Sequence, residues 1–153
     1  MNIIKQNHVK YGLILCVVIA VCLLSMELTG KNESFEQASP IFIFGQMIAP
    51  AFIWYMGMDA KKKMQKGKLT YKQAFIEGVK ISLVFAIVSP FVFVAYYLLI
   101  NPAIVDSVRE TYMMSTSTAQ SMVIAVDMAV QFISAMVFGT IYSAIIAFFV
   151  KSK

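Results

Sequence analysis

The chain has 153 residues, enough for one domain, of which 59% are hydrophobic and 14% charged, against about 25% charged in a typical soluble domain. Thirteen basic and eight acidic side chains cannot cover the surface that a soluble fold of this size exposes without leaving large apolar patches in water. The composition excludes a soluble fold, a disordered chain and, despite a net charge of +5, a nucleic-acid-binding protein; it is that of an integral membrane protein.

Four stretches are long and apolar enough to cross a hydrocarbon core, which takes about 20 helical residues. They cover 9–28, 38–58, 79–100 and 124–150, with outer loops 29–37 and 101–120 and a Lys-rich loop 59–72. A lipid-facing backbone satisfies its polar groups only as a helix or a closed barrel. The expected fold is therefore all-α, a single domain in which four transmembrane helices form a bundle. Eleven of the thirteen basic residues fall at the termini or in and just beyond the Lys-rich loop; only Lys31 and Arg109 lie on the other side. That asymmetry places both termini in the cytoplasm. The first stretch is read as a retained helix rather than a cleaved signal peptide, because Cys22-Leu23-Leu24-Ser25-Met26 lacks the small residues a cleavage site needs.

Local signals fit these spans. Thr70-Tyr71-Lys72-Gln73 has capping-box spacing at the start of the third helix, and Ser117-Thr118-Ala119-Gln120 has it before the fourth. Gly67 suits the end of the second helix. Asn101-Pro102 ends the third and opens a short amphipathic turn through Val105, Val108 and Tyr112. Tyr11, Trp54, Tyr55 and Tyr71 are expected at the inner interface and Tyr96, Tyr97 and Tyr112 at the outer one, as aromatic belts are arranged. Pro50 and Pro90 lie inside the second and third spans and free the carbonyls of Gln46 and Ala86, which predicts kinks.

The order of elements is informative as a whole. His8-Val9-Lys10-Tyr11-Gly12 leads into a first helix, and a second helix exits into a lysine run. Leu69-Thr70-Tyr71-Lys72-Gln73-Ala74-Phe75 follows, with Gly78 three residues on, and the last helix ends in a short basic tail. In this the chain resembles the bacterial domain of unknown function 4199 family over essentially its whole length. The resemblance implies four helices and a bacterial cytoplasmic (inner) membrane, and brings no activity, ligand or catalytic residue.

Small residues recur at spacings of four in each span: Gly12, Cys16 and Ala20; Gly45 and Ala49; Gly78, Ser82 and Ala86; and Ala135, Gly139, Ser143 and Ala147. Such ridges let helix backbones approach closely in lipid. The last is read either as bundle packing or as a homodimer seam. Continued outward, the same row reaches Gln131 and Asp127. An acid in or near lipid is a functional candidate by default, and Asp127, Gln131 and Gln46 are expected to form a polar cluster near the outer surface. Lys61, Lys62, Lys63, Lys66 and Lys68 fix topology and are candidates for contact with anionic headgroups.

Enzyme chemistry has little to draw on. His8 is the only histidine, and Cys16 and Cys22 lie six apart on different sides of one helix, so neither a disulfide nor a metal pair follows. Met56 with Met58, and Met113 with Met114, could be read as copper ligands, but methionine is also ordinary apolar filler. No catalytic set, metal or cofactor is expected. Two functions remain: a non-catalytic membrane protein that associates with itself or a membrane partner through its ridges, and a small homo-oligomeric transporter or channel built on the Asp127 cluster.

Overall fold

Long uninterrupted apolar runs make long helices. The computed structural model describes residues 6–29 and 44–152, without the side chains of Phe44 and Gln46. Helix α1 covers Asn7–Leu28, α2 Ala49–Met64, α3 Tyr71–Leu99, α4 Ile104–Thr111 and α5 Gln120–Val150. No strand occurs among the described residues. Three helices, α1, α3 and α5, are long and apolar enough to cross a membrane. The second expected span, 38–58, is described only from Phe44, so 38–43 and most of the outer loop 29–37 lie outside the described residues.

The second span also differs in its backbone. Pro50 does not stand in the middle of a regular α-helix as the sequence predicts. A π-helical turn, Phe44–Ile48, precedes α2, and Pro50 stands in the first turn of the α-helix that follows. Proline has no N–H for the carbonyl of residue 46, and the wider π turn changes the hydrogen-bond register ahead of the position where that bond is missing. Pro90, by contrast, remains inside α3.

The termini of the elements follow their local chemistry. Thr70 Oγ1 accepts from Gln73 N–H at 3.3 Å, and Gln73 Oε1 accepts from Thr70 N–H at 3.0 Å, so the capping box at the start of α3 forms. Thr70→Ala is expected to lower unfolding stability by about 1 kcal/mol, and Thr70→Ser to preserve it, as read from thermal unfolding in detergent. The second box does not form. Ala119 is the N-cap of α5 without a side-chain bond, while Ser115 and Ser117 pair with each other. After Met64, Lys66 and Gly67 take positive φ, and Gly67 N–H reaches back to the Lys62 carbonyl at 3.0 Å. Asn101 does not cap α4: its side chain donates to Glu27 instead.

Helix α3 is the spine, packed against α1, α2 and α5. Its seam with α5 is an antiparallel exchange of small residues, in which Gly78 faces Ser143 and Ser82 faces Gly139. A Cβ added to Gly78 would sit 2.7 Å from Ser143 Cβ, and one added to Gly139 would sit 2.5 Å from Ser82 Cβ. These contacts are possible only because glycine brings no side chain to the crossing. The row Ala135, Gly139, Ser143 and Ala147 thus turns inward: the last three are buried, and Ala135 packs against the core. The face that the homodimer reading needs is occupied by α3 of the same protomer. The side of α5 bearing Ile133, Val137, Ile141, Ile145 and Phe148 is exposed instead, as expected of a surface solvated by lipid chains.

Polar contacts mark the two ends of this bundle. At one end, Asn7 Nδ2 donates to the Gly57 carbonyl and to Glu77 Oε1, both at 2.8 Å. At the same end Lys62 Nζ donates to the Val150 carbonyl at 2.9 Å, and Ser152 bonds to Leu69 and Gly67. The start of α1, the α2–α3 loop and the end of α5 therefore lie together. At the other end, Tyr96 Oη and Asn101 Nδ2 donate to Glu27 Oε2 at 2.7 and 3.1 Å.

Candidate functional site

Asp127 is 5% exposed. Tyr97 of α3 donates to its Oδ2 at 2.9 Å, Tyr112, which follows α4, to its Oδ1 at 2.9 Å, and Gln131, one turn along α5, to Oδ2 at 2.6 Å. Gln131 Nε2 also reaches Tyr97 Oη at 3.2 Å. Helix geometry explains the Asp127–Gln131 pair, since residues four apart share a face. The two tyrosines arrive from elements 30 and 15 residues away, held by the close α3–α5 crossing and by the burial of Ile104, Val105 and Val108 on α4. Burial, and then the bond to the Asp127 carboxylate, push the Tyr112 phenol up to about 12, so it remains a donor at neutral pH.

The sequence reading thus pairs Asp127 with Gln131 as the structure does, and omits the tyrosines. The sequence predicts Tyr97 and Tyr112 in an outer aromatic belt with Tyr96; in the fold Tyr96 and Tyr97 are buried and all three phenols bond carboxylates. Trp54, also expected in an aromatic belt, likewise turns inward. It is 3% exposed, donates from Nε1 to the Gly78 carbonyl and Ser82 Oγ at 3.1 Å each, and stacks on Tyr142. The third expected member of the cluster, the Gln46 side chain, lies outside the described residues; its backbone belongs to the π turn.

The cluster closes one end of a cavity of about 570 Å³ between α2, α3, α4 and α5, within the range of small-molecule sites. Trp54 and Gly139 line its deep end, while Phe85 and Phe93 form part of its apolar wall. Met47, Val130 and Phe138, all exposed, border it on the lateral face between the π turn and α5. Ser107 and Thr111 border it at the α4 end.

A second acid is absent from the sequence reading altogether. Glu77 precedes the uncharged part of α3, yet is 2% exposed. It accepts from Asn7, and His8 Nδ1 lies 3.7 Å from the same oxygen. His8 is therefore half-buried against α3 rather than a free residue ahead of the membrane. Among the lysines, Lys62 binds the Val150 carbonyl, Lys63 pairs with Asp59 at 2.8 Å, Lys66 and Lys68 are exposed, and Lys61 is half-buried. Cys16 and Cys22 are free thiols, and no group of three metal-ligating side chains occurs among the described residues. Met58 is fully buried and Met56 exposed, so these two do not face a common site.

The described residues form an all-helical bundle with three helices long and apolar enough to cross a membrane, and a buried acid lines a cavity between its helices. The family described as protein of unknown function, DUF4199, matches residues 10–152, and the chain belongs to it. No curated protein and no solved structure matches the chain.

Proposed function

We propose that this is a non-catalytic, multi-pass protein of the bacterial cytoplasmic membrane, and that it works by taking a small amphipathic molecule into its cavity, as the binding unit of a small transporter. The cavity carries this reading: about 570 Å³, mostly apolar in its lining, with the Asp127 cluster at one end. Of the two functions drawn from the sequence, this favours the transporter built on the Asp127 cluster. Association through the α5 ridge loses its main support, because Gly139, Ser143 and Ala147 are already packed within the protomer. The cavity lies inside one chain, so a second copy is not needed to build it, although a homo-oligomer or a membrane partner is compatible with it.

The proposed topology has the four spans expected from the sequence, with both termini and the Lys-rich loop in the cytoplasm. The lysine asymmetry supports that orientation. In it, Lys61, Lys66 and Lys68 would meet anionic headgroups, each at about 1 kcal/mol.

Trp54 is the only tryptophan in the chain and lines the cavity, which gives a direct test. In detergent micelles, a bromine-labelled fatty alcohol is expected to quench Trp54 fluorescence saturably. Ala135→Phe, which places a ring in the cavity, is expected to abolish the saturable part. Quenching that rises linearly with label and ignores Ala135→Phe would reject the reading.

A further inference from the structure

We infer that the cavity selects a protonated amine carried on an apolar body, with its ammonium seated between Asp127 and Gln131 and its chain directed toward Trp54. This rests on the cavity-binding reading and adds the chemistry of what is bound.

Three observations converge on that class. First, every partner of the Asp127 carboxylate is a neutral donor: two phenols and one amide. Among the described residues no Lys, Arg or His lies within ion-pair distance of it, so the acid at the end of the cavity has no cationic partner there. A buried charge is ordinarily paired, and a cation supplied by a ligand would complete it. Second, Gln131 spends its amide N–H groups on Asp127 and Tyr97, while its Oε1 is shielded from solvent and has no donor. An acceptor beside a carboxylate calls for a group that brings both positive charge and N–H. A primary ammonium has three donors and can serve both oxygens; a quaternary ammonium offers charge without N–H, an alcohol the reverse, and a carboxylate is repelled. Third, the remaining wall is mostly apolar and aromatic, with Trp54, Phe85 and Phe93 leading away from the acid and Ser89 and Ser134 among them, which suits a hydrocarbon or aryl body better than a small hydrophilic polyamine.

The test is a Trp54 fluorescence titration of the full chain in maltoside micelles at neutral pH with four probes of equal chain length. These are dodecylamine, dodecyltrimethylammonium, dodecanol and dodecanoate. Dodecylamine is expected to half-saturate at a concentration about tenfold or more below dodecanol, the scale of one charge-assisted hydrogen bond, with the quaternary ion between them and dodecanoate weakest. Asp127→Asn is expected to bring the amine-to-alcohol ratio near one. Gln131→Met leaves the carboxylate in place and is expected to reduce the ratio several-fold; it carries the test if the Asp127 variant does not fold. Saturable binding of dodecanol as tight as that of the amine, or a ratio untouched by both variants, overturns the ammonium assignment while leaving the cavity reading intact. Absence of a saturable response to any probe overturns both. A lipid headgroup and a free amine share this chemistry, and discs of phosphatidylcholine with and without phosphatidylethanolamine separate them. Loss of dodecylamine binding only in the ethanolamine-containing discs assigns the amine to lipid, and unchanged binding assigns it to a free amphiphile; either supports the ammonium site.

Discussion

Gly139→Leu is expected to destabilise the chain by about 3 kcal/mol, the upper part of the usual range for overpacking a close contact, read from unfolding in mixed micelles. The reason is geometric. Even a single added carbon at Gly139 would stand 2.5 Å from Ser82 Cβ and 3.1 Å from the Trp54 ring, and Trp54 is itself held by Gly78 and Ser82. The neighbours cannot move aside independently, so the α3 and α5 backbones must separate. Gly139→Ala is expected to fall between Leu and wild type. Its cost should shrink in a Ser82→Gly background, because the clash then loses its other half; such non-additivity is the signature of direct contact. Val137→Leu, two residues away on the exposed side of α5, serves as the control and should leave stability unchanged. Equal losses at Gly139 and Val137 would argue against the seam as described.

Asp127→Leu is the second large effect, expected at about 3 kcal/mol. The substitution preserves approximate volume but strips the acceptor from Tyr97, Tyr112 and Gln131 together, and a buried donor left unpaired costs about 1–3 kcal/mol. The total stays below the sum of three such losses, because Tyr112 is only half-buried and can turn to water. Tyr97→Phe introduced into the Asp127→Leu chain should recover part of the loss by removing an orphaned hydroxyl. Tyr97→Phe alone should be mildly destabilising. If the double variant is no more stable than Asp127→Leu, the Tyr97 bond is not what the acid supports.

Period and hydropathy made the helices legible, because each long apolar run has one backbone solution in lipid. The Asp127–Gln131 pair was legible for the same reason, being a local consequence of helical spacing. What sequence order hides is which distant side chain completes a local feature. Tyr97 and Tyr112 look like interface aromatics until the α3–α5 crossing brings their phenols onto a carboxylate. Trp54 looks the same until its indole N–H is placed against the Gly78 carbonyl and Ser82 Oγ. Glu77 is inconspicuous in the sequence because it precedes the uncharged stretch; only the packing of α1 shows that Asn7 and His8 meet it, and the polar Asn7-His8 pair ahead of an apolar run is the signal that points to it. Pro50 marks a disturbance in the sequence, but propensity does not say that it takes the form of a π turn ahead of the proline.

Helix α1 is fastened to α3 twice. Asn7 holds Glu77 near one end and Glu27 holds Tyr96 and Asn101 near the other. The fastenings lie about 20 residues apart on α1 and about 19 on α3, or about 30 Å of helix on each, close to the thickness of a hydrocarbon core. Two parallel rods joined at both ends can neither slide nor tilt independently. The pair behaves as a ruler of fixed length, so a bilayer thicker or thinner than this span would be met by the lipid or by a tilt of the pair as a unit, not by one helix alone.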